Sequence, residues 1–180
     1  MQTNPLIYWL QQFTSYPWAS MLRKTVGPVY DRMSSRVLQS GGAIVIKAGG
    51  STLVKTGAAA TYAIANGRLL TLAPATDLAA LAGTVANARF NVFGYFVDSA
   101  GALTSGMGTE GASLGTLRFP QLPIGKAWMG FTIINPTGTG NFVGGTTALD
   151  DATVVPNAVH VTHTSGGDPA CVIGGQLTNW

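Results

Sequence analysis

Residues 89–98 read RFNVFGYFVD and residues 127–135 read AWMGFTIIN. Both runs are dense in aromatic and β-branched residues, and both put apolar side chains at odd and even positions alike. A strand of that kind is covered on its two faces, so these two runs are expected at the centre of a sheet.

Shorter β segments surround them. Residues 43–48 (AIVIKA) and 51–56 (STLVKT) flank Gly49-Gly50, a hairpin signal. Residues 60–65 and 68–73 flank Asn66-Gly67, the strongest short hairpin signal in the chain. Gly101 turns the first central strand into residues 102–105, and residues 106–115 read as a long polar loop. Residues 142–149 suggest a weaker strand or bulged edge, and residues 158–162 (AVHVT) close the domain. Only residues 76–82 (TDLAALA) favour a helical turn or two. Turn signals recur every 8–12 residues and no βαβ alternation is present, so the expected class is mainly β: an antiparallel β-sandwich or jelly-roll-like domain over residues 41–180.

The first 40 residues have a different texture. Six of the sixteen aromatic residues fall there: Tyr8, Trp9, Phe13, Tyr16, Trp18 and Tyr30. Leu6, Trp9, Leu10 and Phe13 recur at helical spacing behind Asn4-Pro5, a cap and first-turn proline. A second helical stripe runs through Leu22, Val26, Tyr30, Met33 and Val37, broken at Gly27-Pro28. Residues 1–40 are therefore expected to form a short helical amino-terminal arm, joined to the β domain through a flexible Ser40-Gly41-Gly42 link. Its apolar stripe must be buried on its own domain, on a neighbouring subunit or on a membrane surface.

Charge separates the two parts again. Charged residues make up 9% of the chain, against roughly 25% in ordinary soluble domains. Residues 1–40 carry Arg23, Lys24, Arg32 and Arg36 against Asp31, while six cations and six acids cancel in the remainder. The arm's cations are too sparse for a nucleic-acid footprint. So few ionised side chains suit an exterior that touches neighbouring proteins. Cys171 stands alone, leaving no intrachain disulfide and no cysteine metal cluster. The amino terminus lacks the basic start of a secretory leader. The uncharged stretch 127–149 is broken by Pro136 and five glycines, so it is no spanning helix.

Two catalytic patterns occur and both lack their context. Gly106-Met-Gly108-Thr-Glu-Gly111 fits GxGxxG, yet Gly115 and Pro120 spoil the helix that would receive a pyrophosphate. Gly111-Ala-Ser113-Leu-Gly115 fits a nucleophile elbow, with Asp150 or Asp151 and His160 or His163 downstream in hydrolase order. The strand–turn–helix that an elbow needs is missing. His160 and His163, three apart on a strand, face opposite ways and share no metal. Asp150-Asp151 reads as a turn. No catalytic, cofactor or metal residue is assigned.

A family resemblance enters between about residues 83 and 161. Thr84-Val85-Ala86-Asn87, Arg89-Phe90-Asn91-Val92, Val97-Asp98-Ser99-Ala100-Gly101 and Gly106-Met-Gly-Thr-Glu-Gly111 resemble a module in virion proteins of tailed bacteriophages. Phe131-Thr-Ile-Ile-Asn-Pro-Thr-Gly-Thr-Gly140, continuing through Phe142-Val-Gly-Gly-Thr-Thr-Ala-Leu-Asp150 to Val154-Val-Pro-Asn157, is the most specific piece. The resemblance implies a capsid decoration (cement) protein, or a head or tail appendage, made in the host cytoplasm and carried in the virion. It brings no catalytic residues. The expected partners are the major capsid protein or another virion protein and sister copies, as a dimer or trimer, with neither nucleic acid nor membrane. Trp9, Phe13, Trp18 and Tyr30 are the expected arm anchors, with Arg23 and Arg32 beside them. A tail, baseplate or head-fibre component is the alternative in the same class. A carbohydrate-binding module using Trp128 or residues 106–115, and a hydrolase built on Ser113, are the alternatives outside it.

Overall fold

The structure is a computed structural model, and it describes residues 35–135, 138–156 and 158–163. Eleven strands lie within them, all paired antiparallel. The first five are β1 (Arg36–Gln39), β2 (Val45–Ile46), β3 (Val54–Lys55), β4 (Thr61–Ala65) and β5 (Arg68–Leu72). They are followed by β6 (Thr84–Val85), β7 (Asn91–Val97), β8 (Leu103–Met107), β9 (Ala127–Ile134), β10 (Phe142–Val143) and β11 (Val159–Thr162). A single 3-10 turn at Leu114–Thr116 is the one helical element among the described residues. The mainly β, antiparallel expectation holds.

The two decisive runs form the middle of a four-stranded sheet of order β11-β9-β7-β8. Every residue of β7 is buried, as a strand apolar on both faces requires. Phe93, Tyr95 and Val97 enter the larger core cluster on one face, and Val92 and Phe96 enter a smaller cluster on the other. On β9, Met129 bulges out between Trp128, which pairs with Phe96, and Gly130, which pairs with Tyr95. The extra residue shifts the alternation, so Trp128 and Phe131 both reach the smaller cluster. Gly130, at φ 154°, has no room for a side chain, because a Cβ there would stand 2.5 Å from Ile44 Cδ1 and from the Val161 carbonyl.

The larger cluster is roofed by a second sheet of order β1-β4-β5, which gives it Val37, Ala63, Ala65 and Leu72. The β2–β3 and β6–β10 pairs close its flanks with Val54, Val85 and Phe142. The smaller cluster is covered by residues 117–122, where Phe119 packs edge-on against Trp128 at 5.7 Å and Phe131 at 5.0 Å. Asn66 (φ 49°) and Gly67 (φ 74°) both take positive φ, as the tight β4–β5 turn demands.

Four local expectations are corrected. Residues 76–82 form no helix. Thr76 and Leu78 are bonded instead to Thr56 and Val54, and Asp77 bridges Lys55, so the segment is zipped onto β3. Residues 106–115 are less free than a loop. Gly106 and Met107 belong to β8, Thr109 bridges Arg118, and Gly111 bridges Phe90. Residues 142–149 form a strand only at β10 and continue as a turn, where the amides of Thr146 and Thr147 both donate to the Val143 carbonyl. The link at residues 40–42 is tied down. The buried amide of Gly41 donates to Thr61 Oγ1 and its carbonyl accepts from Ala59, while Gly57 lies against Gly41 and Gly42 too closely for any side chain.

Arg36–Gln39, expected within the helical arm of residues 1–40, is a strand of the second sheet. Arm residues Trp9, Phe13, Trp18, Arg23, Tyr30 and Arg32 lie outside the described residues.

Candidate functional site

The residues of the two catalytic patterns are held in separate structural hydrogen bonds. Ser113 is exposed beside the 3-10 turn, where its amide donates to Thr116 Oγ1 and the Thr116 hydroxyl donates to the Ser113 carbonyl. Both carboxylate oxygens of Asp150 accept from the Gly50 amide, which fastens the β2–β3 hairpin tip. Asp151 Oδ1 caps the amides of Thr153 and Val154. His160 Nδ1 is bonded to Thr132 Oγ1 at 2.8 Å. None of these bonds joins serine, acid and histidine to one another. Among the described residues no group of three or more His, Cys, Asp or Glu is placed to hold a metal, and no helix is long and apolar enough to cross a membrane.

Trp128, one candidate sugar platform, is 2% exposed and forms part of the core. A stacking platform must present an open ring face, so Trp128 cannot serve as one in this fold. Gly94 makes its burial possible, since a Cβ there would meet the indole ring at 2.7 Å.

A buried polar chain lies between the sheets. Tyr95 Oη is 2.9 Å from Thr132 Oγ1, which is in turn bonded to His160 on the neighbouring strand. Burial raises the Tyr95 phenol above its ordinary range, an effect that the Thr132 bond only partly offsets. Burial lowers the His160 imidazole below 6.5, because the cation would lose its water. His160 Nε2 is buried with no hydrogen-bond partner among the described residues. His160 lines an open cleft of about 640 Å³ between the edge strands β1 and β11, together with Leu38, Gln39, Ser40, Val161 and Thr162. One imidazole and hydroxyls without a second base or acid offer little for proton-transfer chemistry.

The most distinctive surface is the outer face of the β1-β4-β5 sheet. Strand alternation sends Val37, Ala63 and Ala65 inward and leaves Leu38, Tyr62, Ile64 and Leu69 outward. Leu69 is 62% exposed, Leu38 40% and Tyr62 39%, and Ile64 is half-buried. The β1 bulge leaves Leu38 without a register partner and puts Gln39 on the rung of Tyr62 and Thr71, next to a rung of Arg36, Ile64 and Leu69. Arg36 and the exposed Arg68 at the strand end are the charges of this sheet, with no acid among its strands. Neither arginine enters an ion pair among the described residues, whereas Lys47 pairs with Asp77 elsewhere. A solvent-facing sheet normally alternates polar residues outward, so this face has the composition of a docking surface. The arm-based reading missed it. The alternation in TYAIA and RLLTL was the signal available for it.

Fold and surface together define an antiparallel β protein with an apolar outer sheet face. Comparison with protein-family models, with curated proteins and with solved structures finds no match.

Proposed function

We propose that this chain is a structural component of a tailed-bacteriophage virion, a decoration (cement) protein that binds the assembled head and works by contact rather than by turnover. The observation that carries the reading is the outer face of the β1-β4-β5 sheet, an apolar surface on a chain with few ionised side chains. The resemblance of residues 83–161 to phage virion modules supports the same class. In this reading the two sheets that share the larger core make a β-sandwich. Stabilisation would follow from mass action: a protein that binds the assembled shell and not its free subunits makes disassembly less favourable.

Residues 1–34 supply the attachment in this reading, with Trp9, Phe13, Trp18 and Tyr30 as anchors that bury much area at small entropic cost. Full-length protein carrying Trp9→Ser and Phe13→Ser, mixed with heads lacking the native protein, tests it by co-sedimentation. Occupancy is expected to fall at least tenfold, and undiminished occupancy overturns the arm's role. Gold-labelled antibody on intact particles decides between head and tail. Label confined to tails or fibres replaces the decoration reading with the appendage one.

A further inference from the structure

Strand β11 holds its place with little help from packing. It pairs on one side only, with β9, and none of its four residues is buried. Val159 is 51% exposed, and of the three half-buried residues that follow only Val161 packs against a core cluster, at the margin of the smaller one. Beyond the ladder, Thr162 Oγ1 accepts from the Ile44 amide, the His163 amide donates to the Met129 carbonyl, and His160 is bonded to Thr132. An element with so little buried apolar surface opens before the domain does.

The protons of the Tyr95–Thr132–His160 chain can run two ways. With Tyr95 donating to Thr132 and Thr132 donating to His160 Nδ1, both hydroxyls and Nδ1 are satisfied. The Nε2 proton alone then lacks a partner among the described residues. Run in the opposite sense, the Tyr95 proton and the Nε2 lone pair are both left over. Buried polar atoms are costly to leave unpaired, so the first arrangement wins and His160 is the neutral ring protonated at Nε2. A further proton must enter at Nδ1. It removes the acceptor of the Thr132 hydroxyl, turns the chain around, strands the Tyr95 proton and charges an Nε2–H that has no acceptor.

No carboxylate stands by to compensate. β1, residues 40–43, β7, β9 and β11 hold no Asp or Glu, and their titratable side chains besides His160 are Arg36 and Tyr95. Residues 117–122, over the smaller cluster, bring Arg118, and His163 follows β11 directly. Once β11 leaves β9, the ring regains water and takes up its proton near the ordinary value of about 6.5.

We propose that β11 is a proton-released latch: a proton on His160 frees β11 from β9 and bares the β9 edge, Gly130–Ile133, while both core clusters stay packed. A bared edge is a template for another strand, so the latch sets when the domain can accept one. It goes beyond the virion reading and does not depend on it. The released form binds the proton more tightly than the docked one. The docked-to-released ratio is therefore constant above about pH 6.5 and falls up to tenfold per pH unit below it.

Amide hydrogen exchange of the full-length protein, followed by NMR from about pH 7.5 to about pH 5 and corrected for intrinsic rates, reads that ratio. Protection of the β11 amides bonded to β9 is expected to fall by up to tenfold per pH unit, while that of β7 and β4 stays level. His160→Asn keeps an acceptor for the Thr132 hydroxyl without taking a proton, and it is expected to abolish the fall. Imidazole nitrogen shifts in the wild type should show the neutral ring protonated at Nε2 near pH 7.5. They give a second readout that needs no variant, because the titration of His160 must coincide with the loss of β11 protection. Four results overturn the latch: β11 protection that does not change with pH, protection of β7 and β4 falling in step with it, a fall retained in His160→Asn but lost in His163→Asn, or a His160 ring that titrates while β11 stays protected.

Discussion

His160 shows how one side chain ties stability to pH. Its Nδ1 is bonded to Thr132, its Nε2 is buried without a partner among the described residues, and burial holds its proton affinity below the ordinary value of 6.5. In the unfolded chain the ring takes up a proton as pH falls through about 6.5, whereas in the fold it resists until a lower pH. The unfolded state therefore binds more protons in that window. Stability should be full above pH 6.5 and should decline as pH falls from there to the depressed folded value. Urea unfolding between pH 7.5 and 5 reads this out, and His160→Asn, which keeps a polar atom for Thr132, should flatten the slope over roughly that interval. Asp98 contributes in a different window. The backbone amides of Ala102 and Ala100 hold its carboxyl below 3.8, so the stability it adds is present above that value and lost only in stronger acid. Trp128 belongs to the same scale: it is 2% exposed and wedged between Phe96 and Phe119. Trp128→Ala should lower unfolding free energy by about 3–5 kcal/mol in denaturant titration, in line with other large aromatic truncations.

At the scale of elements, the bulge on β9 is the feature on which both faces of the sheet depend. Gly130→Ala would drive a methyl into Ile44 and into the Val161 carbonyl of β11, the strand that pairs with β9. The expected loss is about 1–3 kcal/mol, with hydrogen-exchange protection falling first at the β11 amides. This bulge was hidden in the sequence. AWMGFTIIN is apolar at nearly every position, so no alternation existed for a one-residue shift to disturb. The hairpin at Asn66-Gly67 was legible because its turn residues have few other uses. Residues 36–39 were not, because RVLQ continues a helical spacing and only cross-strand pairing with β4 makes it a strand. TDLAALA failed for the opposite reason. Its local helical preference is real, but the amide of Leu78 and the carbonyl of Thr76 find partners on β3, and tertiary pairing outweighs a propensity of a few tenths of a kcal/mol per residue. For the candidate surface, the sequence displayed the apolar positions of TYAIA and RLLTL without saying which face would stay uncovered. That depended on Ala63 and Ala65 being the pair chosen for the core.

For the whole molecule, the scarcity of charge and the open sheet face make one prediction about behaviour in solution. Full-length protein should sediment with a weight-average mass that rises with concentration toward a closed oligomer, and Leu69→Lys should hold it near the single-chain value. A wild-type protein that stays monomeric at every concentration would contradict assembly through this face. The position of β1 also determines how an arm can be removed without harming the domain. Cutting after residue 40 takes a strand out of the β1-β4-β5 sheet, along with the Ser35 bond to Asn66, so a loss of head binding after that cut would confuse unfolding with detachment.

The crossing of Gly41 and Gly57 bears on mechanics. A pull transmitted through residues 1–34 enters the fold at Ser35 and runs along the axis of β1, so the rungs shared with β4 are loaded in shear and resist together instead of peeling one by one. Behind the strand, the two glycine backbones sit so close that the chain cannot slide past Ala59. Strain arriving through the amino-terminal residues is thus arrested within the first sheet before it reaches β7 and β9.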